Sequence, residues 1–128
     1  MDTAKDTEQR ILVVEDSPVI QRVIEICLRQ PARQFDQRRD GASGLAAARD
    51  LNPDVMILDI RLPGIDGWEV LRQLRSTEDG RDVAVLVVTG HGDGETRQRA
   101  STEGADGFIS KPFRPAELRR AVELLVAG

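Results

Sequence analysis

The sequence predicts an α/β fold, namely a doubly wound parallel sheet of five strands with helices on both faces. Short apolar runs rich in β-branched residues alternate with segments of helical periodicity. Continuous apolar runs are typical of strands buried on both faces of a parallel sheet. Strands that alternate with helices of this length indicate right-handed βαβ units. Five strand–helix units fill the chain, and no repeat or low-complexity segment interrupts them.

The first unit is predicted from an apolar strand, Ile11–Val14, and a capped helix. Ser17 and Pro18 supply the N-cap and the first-turn proline of that helix. The inner face of the helix is predicted from the helical spacing of Ile20, Val23, Ile24, Cys27 and Leu28. Its outer face is predicted to carry Gln21, Arg22, Glu25 and Arg29.

The second unit has a weak strand and a clearer helix. The strand is expected over 33–40, where Phe35 is the one apolar residue, so we predict an edge position for it. The alanine-rich segment 42–51 is predicted to be the second helix.

The third unit and the fourth strand are predicted from continuous apolar runs. Val55–Leu58 is a buried strand, and the helix after it begins near Gly67 and Trp68. Val83–Val88 is the longest apolar run and is predicted to be the fourth strand.

The last elements include the weakest helix of the chain. The expected fourth helix, 93–103, offers Ala100 as its one apolar side chain, so we predict it to be the most mobile element. Phe108–Ile109 is a short fifth strand, and Pro115 opens the last helix.

Size and composition agree with one globular domain. The chain has 128 residues, of which 40% are hydrophobic and 31% are charged. A chain of this length buries roughly two-thirds of the surface that its unfolded form exposes, so a core can form without disulfides. Cys27 is the single cysteine and cannot form an intramolecular disulfide. We predict a polar N-terminal tail over 1–9 and one domain over 10–128.

Charge and hydropathy argue against several classes of protein. The net charge of −4 and the pI near 5.0 argue against direct binding of nucleic acid. The apolar runs are too short to span a membrane, and the polar N-terminus lacks the features of a signal peptide. We therefore expect a small cytoplasmic domain with no membrane partner.

Polar residues follow the four buried strands, at the edge of the sheet where ligands bind in open α/β folds. Glu15 and Asp16 follow the first strand and Asp59 follows the third; Thr89 and Lys111 follow the fourth and fifth. Carboxylates brought together at this edge repel one another unless a cation lies among them.

The residue types at this edge predict phosphoryl transfer. Oxygen ligands of high negative charge suit Mg²⁺. An Asp in such a site can attack phosphorus and form an aspartyl phosphate. The Thr89 hydroxyl and the Lys111 ammonium would then bind the phosphoryl oxygens.

Four segments in order carry a resemblance to a known family: ILVVEDSP, MILDIRLPGIDGWEVL, VLVVTGHG and GADGFISKPF. They are similar to the motifs of the receiver domain of bacterial two-component response regulators. The resemblance runs from about Ile11 to Val126, which is nearly the whole chain. It implies a flavodoxin-like fold with strand order 2-1-3-4-5.

The resemblance also implies roles for the strand-end residues. Asp59 would be the phosphoacceptor, Thr89 the switch hydroxyl, and Lys111 the contact to the phosphoryl group, with a cis bond to Pro112. Mg²⁺ would be bound by the side chains of Asp16 and Asp59, the backbone carbonyl of Arg61 and, through water, Glu15.

The implied output is a conformational switch. Phosphorylation adds nearly two negative charges at Asp59. Thr89 then moves toward the phosphate, Phe108 turns inward, and the surface of the fourth helix, fifth strand and fifth helix changes for a partner. Arg61 and His91 lie two residues after Asp59 and Thr89, where the family varies, and we hypothesise that they tune the phosphate lifetime.

Three alternatives to a phosphorylated receiver fit the sequence less well. A flavin-binding flavodoxin fits least, because the chain has few aromatic residues to stack on a flavin ring. A pseudo-receiver that binds proteins without phosphorylation would not need the intact set of strand-end residues. A phosphatase of the haloacid dehalogenase type places a second Asp two residues after its nucleophile on the first strand, where this chain has Pro18.

The resemblance implies partners as well as a site. A sensor histidine kinase or a phosphotransfer protein would supply the phosphoryl group. The output would reach a downstream protein target or a C-terminal effector domain beyond this sequence, and a homodimer is compatible with it. The expected output face is basic, so we expect an acidic protein surface as its target. Its basic residues are Arg97, Arg99, Arg114, Arg119 and Arg120.

Overall fold

The computed structural model describes residues 8–90 and 94–127. Five parallel strands form one sheet in the order β2-β1-β3-β4-β5. The strands are β1 (Gln9–Val14), β2 (Arg33–Arg38), β3 (Val55–Leu58), β4 (Ala84–Thr89) and β5 (Gly107–Ser110). The helices are α1 (Pro18–Leu28), α2 (Gly41–Leu51), α3 (Gly67–Arg75), α4 (Gly94–Thr102) and α5 (Pro115–Ala127). The predicted fold class and strand order are confirmed.

Two apolar layers cover the sheet because successive strand residues point to opposite faces. In β1, Leu12 and Val14 pack on the side of α2, α3 and α4. Ile11 and Val13 pack on the other side, against α1 and α5. All four residues are fully buried, as the apolar run predicts for a strand covered on both faces.

β2 is a regular edge strand of six residues although Phe35 is its one apolar residue. It pairs with β1 over six residues, from Gln9 with Arg33 to Val14 with Arg38. Polar contacts replace apolar packing along it, since the side chain of Arg33 donates to Gln9 at 2.8 Å and that of Gln37 donates to Glu25 at 2.9 Å. The strand ends at Arg38, two residues before the predicted end.

The orientation of α1 differs from the predicted one. Val23, expected on the inner face, is 39% exposed, whereas Gln21, expected on the outer face, is 5% exposed. The cause is hydrogen bonding, because the Gln21 amide donates to the backbone carbonyls of Glu15 at 2.9 Å and Arg38 at 2.8 Å. A buried amide that is hydrogen-bonded in this way avoids the cost of desolvation.

α4 is attached to the domain by few apolar contacts. Among its nine described residues, Ala100 alone is buried. The guanidinium of Arg99 lies over the Trp68 ring, 4.4 Å from its centroid, and that of Arg97 lies over Phe108 at 4.7 Å. Exposed cation–π contacts of this kind are worth about 0.5–1 kcal/mol each.

Replacing Arg99 with Ala is therefore expected to loosen α4 without unfolding the domain. Amide exchange in α4 should accelerate by a factor of about 2–5, because the cation–π contact is lost. The ion pair of Arg99 with Glu103 at 3.4 Å is also lost but, being half-exposed, contributes little. Hydrogen–deuterium exchange measures this effect, and Trp68 fluorescence reports the change beside its ring. Gln98→Ala, on the exposed side of α4, is the control. Equal amide exchange rates of α4 in both variants would contradict a role for Arg99 in attaching this helix. The exchange rates of all elements in the wild type would also test whether α4 is the most mobile of them.

No helix in the described part of the chain has both the length and the apolar character needed to cross a bilayer. β1 begins at Gln9, the last residue of the predicted polar tail.

Candidate functional site

The ends of three strands bring together two acids and a lysine. Glu15 follows β1, Asp59 follows β3 and Lys111 follows β5. The Nζ of Lys111 lies 2.6 Å from Oε1 of Glu15 and 3.1 Å from Oδ2 of Asp59. We call these three residues the acid–lysine cluster. It lies at the carboxyl edge of the sheet, where the sequence predicts a site.

Burial controls the electrostatics of the cluster. Glu15 and Asp59 are 4% and 6% exposed. Burial raises the pKa of Glu15, and the charge of Asp59 adds to this, whereas hydrogen bonds from Lys111 and Ser17 oppose it. Burial alone would lower the pKa of Lys111, but the hydrogen bonds to both acids and the negative charges of those acids together outweigh that effect and raise the pKa. Lys111 therefore stays charged and is shared by two buried carboxyl groups.

The loop that carries Asp59 is fixed by backbone contacts. The Asp59 N–H donates to the Val14 carbonyl at 3.0 Å, and the Arg61 N–H donates to Oδ1 of Asp59 at 3.4 Å. Gly67 allows the first turn of α3 to lie against this loop, since a Cβ there would be 2.4 Å from the Asp59 carbonyl oxygen. Its own N–H donates to the Ile60 carbonyl at 2.8 Å.

Thr89 ends β4 beside the cluster and is 1% exposed. Its backbone carbonyl accepts the N–H of Lys111 at 2.8 Å, which fixes the start of the lysine loop. The Lys111–Pro112 bond is cis, as predicted. A cavity of about 330 Å³ adjoins Thr89 and is also lined by Arg61 and Trp68.

The remaining predicted residues lie around the cluster. Asp16 is exposed, and its backbone carbonyl accepts the Nε of Arg39 at 3.2 Å. Arg61 is exposed at the rim of the site, and Phe108 is half-buried in β5 beneath Arg97. His91 lies outside the described residues, so its predicted role stays a prediction.

The chemistry of the donor set fits Mg²⁺, although the side chains do not form a closed cage. Within residues 8–90 and 94–127, no three acid, imidazole or thiol groups converge as a metal cluster. Mg²⁺ does not need such a cage, because it is usually held by one or two carboxylates and keeps several waters. Asp59 and Glu15 are buried acids that already share the ammonium of Lys111, and Asp16, the residue after Glu15, is an exposed acid.

Two residues near the site were missed by the sequence analysis. Gln21 was predicted on the outer face of α1, and Arg39 was assigned no role. Their hydrogen bonds connect the residues that follow the carboxyl end of β1 (the β1 exit) to the carboxyl end of β2 (the β2 exit). A single glutamine among apolar helix positions was the one available signal for Gln21.

Fold and site together define an open α/β domain with an acid–lysine cluster at the carboxyl edge of its sheet. The model of the response regulator receiver domain matches residues 11–123. The chain belongs to this family, whose domains are signalling switches, and the predicted family is confirmed.

Comparisons with individual proteins agree with this membership. The chain is 35% identical over 117 residues to the DNA-binding dual master transcriptional regulator RpaA of Synechocystis, covering 91% of this chain and 48% of that protein. It thus spans about half the length of the curated relatives that it matches.

Solved receiver domains share the fold. The receiver domain of sensor histidine kinase PA1611 from Pseudomonas aeruginosa PAO1 is 33% identical with a TM-score of 0.86, covering 95% of this chain and 100% of that one. Its crystal structure has a magnesium ion coordinated in the active site cleft. The chemotaxis response regulator CheY4 of Vibrio cholerae is 27% identical with a TM-score of 0.85, covering 94% and 99%.

Proposed function

We propose that this domain accepts a phosphoryl group on Asp59 in a Mg²⁺-dependent reaction and thereby controls a partner in the cytoplasm. A sensor histidine kinase or a phosphotransfer protein is the proposed donor. The observation that carries the proposal is the acid–lysine cluster, in which Lys111 Nζ lies 3.1 Å from the Asp59 carboxylate at the ligand edge of the sheet.

Asp59 is the proposed nucleophile. One of its carboxylate oxygens attacks phosphorus and forms the acyl phosphate, while the bond from phosphorus to the imidazole nitrogen of the donor breaks and the electron pair stays on that nitrogen. Lys111 is the proposed partner of a phosphoryl oxygen, and the contact of its ammonium with Asp59 supports this role. The Thr89 hydroxyl is the proposed second donor to the phosphoryl group.

The proposed ligands of the metal are Asp16, Asp59, the Arg61 carbonyl and, through water, Glu15. A bound Mg²⁺ would neutralise charge on the phosphoryl oxygens as the transfer proceeds. The fit of oxygen donors to this cation supports the assignment, as does the magnesium ion in the related PA1611 domain.

The proposed output runs through Thr89, Phe108 and the surface of α4, β5 and α5. An acidic protein surface is the proposed target, and the arginines of this surface support it, namely Arg97, Arg99, Arg114, Arg119 and Arg120. Because the chain spans about half of its curated relatives, a C-terminal effector domain is a second proposed target, and self-association of this face is a third. A pseudo-receiver remains the competing function.

Removing Mg²⁺ is expected to abolish phosphorylation. We expect intact mass spectrometry to show one added phosphoryl group after incubation with acetyl phosphate and Mg²⁺. No adduct should form when EDTA replaces the metal, because the buried carboxyl groups would then repel the incoming phosphate. The same sample resupplied with Mg²⁺ controls for damage by the chelator. If the domain neither forms an adduct nor binds beryllofluoride when Mg²⁺ is present, the result would favour the pseudo-receiver.

A further inference from the structure

Gln21 is a buried amide that the proposed phosphoryl transfer does not use. It lies in the first turns of α1 and is 5% exposed. Its Nε2 donates to the Glu15 carbonyl at 2.9 Å and to the Arg38 carbonyl at 2.8 Å. Both distances are typical of well-formed hydrogen bonds, so the two N–H groups of one amide tie together two backbone positions.

These two acceptors lie where the β1–β2 ladder ends. The last paired residues are Val14 and Arg38, and the Arg38 carbonyl also accepts the Glu15 N–H at 3.0 Å. Beyond this point the two strands separate, and β1 continues into Glu15 and Asp16. Gln21 therefore bridges the exits of two neighbouring strands at the edge that carries the acid–lysine cluster.

The bridge fixes the backbone of Glu15 on both sides. The Glu15 N–H donates to the Arg38 carbonyl, and the Glu15 carbonyl accepts from the Gln21 amide. The Glu15 carboxylate accepts from Lys111 at 2.6 Å and from the Ser17 N–H at 3.0 Å. Asp16 is the next residue and is exposed, so the orientation of its side chain depends on the backbone conformation at Glu15 and Asp16. Loss of the Gln21 bridge would release this backbone while the sheet pairing remained.

We propose that Gln21 is a positioning residue that sets the Mg²⁺ affinity of the site by orienting Glu15 and Asp16. This proposal rests on the proposed function, in which those two acids hold the metal. Residues that orient metal ligands typically change metal affinity by about 10- to 100-fold when they are replaced. Because Gln21 acts through the backbone and not through a ligand side chain, we expect the lower end of that range.

The test compares two variants of α1 that differ in their contact with the strand exits. Gln21→Met keeps the length of the side chain but removes both donors. Ile24→Val trims a fully buried residue one turn further along the helix and leaves both hydrogen bonds in place. For the wild type and each variant of this chain, isothermal titration calorimetry with MgCl₂ alone gives the Mg²⁺ dissociation constant, and urea unfolding gives the stability.

We expect Gln21→Met to bind Mg²⁺ about 10-fold more weakly than the wild type, and Ile24→Val to stay within about twofold. Unchanged affinity in Gln21→Met, or equal weakening in both variants, would overturn the proposal. If Gln21→Met does not fold, Gln21→Asn is used instead, because its shorter side chain cannot reach both carbonyls. Wild-type Mg²⁺ affinity in Gln21→Asn would likewise overturn the proposal. Failure of the wild type itself to bind Mg²⁺ would instead count against the proposed function.

Discussion

Replacing Asp59 with Asn is expected to eliminate phosphorylation by acetyl phosphate while the domain stays folded. The amide has nearly the shape of the carboxylate but no anionic oxygen to attack phosphorus. The Lys111 ammonium also contacts Glu15 at 2.6 Å, so the ion pair between the residues that follow β1 and β5 should persist. Intact mass spectrometry after incubation with Mg²⁺ and acetyl phosphate measures the effect, and circular dichroism verifies the fold.

The matched control lies at the opposite end of the same strand. Asp54 precedes β3, and its Oδ2 accepts the Arg10 N–H at 2.8 Å, a contact that an Asn oxygen can also make. Asp54→Asn should therefore incorporate phosphate like the wild type. An adduct of equal yield in Asp59→Asn would place the phosphoacceptor elsewhere, with Asp16 the next candidate, and would remove the basis of the proposed function.

Much of the fold and of the site follows from local pattern. The runs Ile11–Val14 and Val55–Leu58 predict buried strands because their residues are apolar on both faces. The convergence of Glu15, Asp59 and Lys111 follows from topology, since the carboxyl ends of parallel strands meet at one edge. The direct contact of the Lys111 ammonium with both carboxylates was not predicted, because strand order places residues at an edge but does not determine which side chains touch.

Non-local hydrogen bonds explain what the pattern could not predict. Gln21 is buried because a carbonyl of β2, that of Arg38, lies within reach of α1, and helical periodicity contains no signal for that partner. Val23 is correspondingly turned outward. β2 reaches its full length through polar contacts to β1 and α1, including that of Arg33 to Gln9, which hydrophobic periodicity cannot detect.

Arg75 is a second residue whose role depends on distant partners, and Arg75→Ala is expected to destabilise the domain strongly. Its side chain is 19% exposed and donates to the carbonyls of Gly80 at 2.8 Å, Val83 at 2.7 Å and Gly104 at 3.0 Å. It also pairs with the Asp106 carboxylate at 2.9 Å. The guanidinium thus joins the end of α3 to the start of β4 and to the loop before β5.

Truncation at Arg75 would leave these partly buried carbonyls without the guanidinium and the carboxylate without its cation. We expect a loss of about 2–4 kcal/mol in the free energy of unfolding, which is large for a single substitution. Urea unfolding followed by circular dichroism measures the change, with the slope expected to match that of the wild type. Arg72→Ala is the control on the same helix, since Arg72 is 53% exposed and pairs with Glu69 and Glu103 at the surface. It should cost less than about 1 kcal/mol.

Arg75→Lys separates the two parts of this interaction. Lysine keeps the positive charge for Asp106 but replaces the planar fork, whose Nε and Nη atoms reach different carbonyls, with a single ammonium. If the backbone carbonyls dominate, the lysine variant should lose more than half of the stability lost by Arg75→Ala. Wild-type stability in Arg75→Lys would instead assign the effect to the Asp106 ion pair, and the carbonyl contacts of Arg75 would then contribute little to holding α3 against β4.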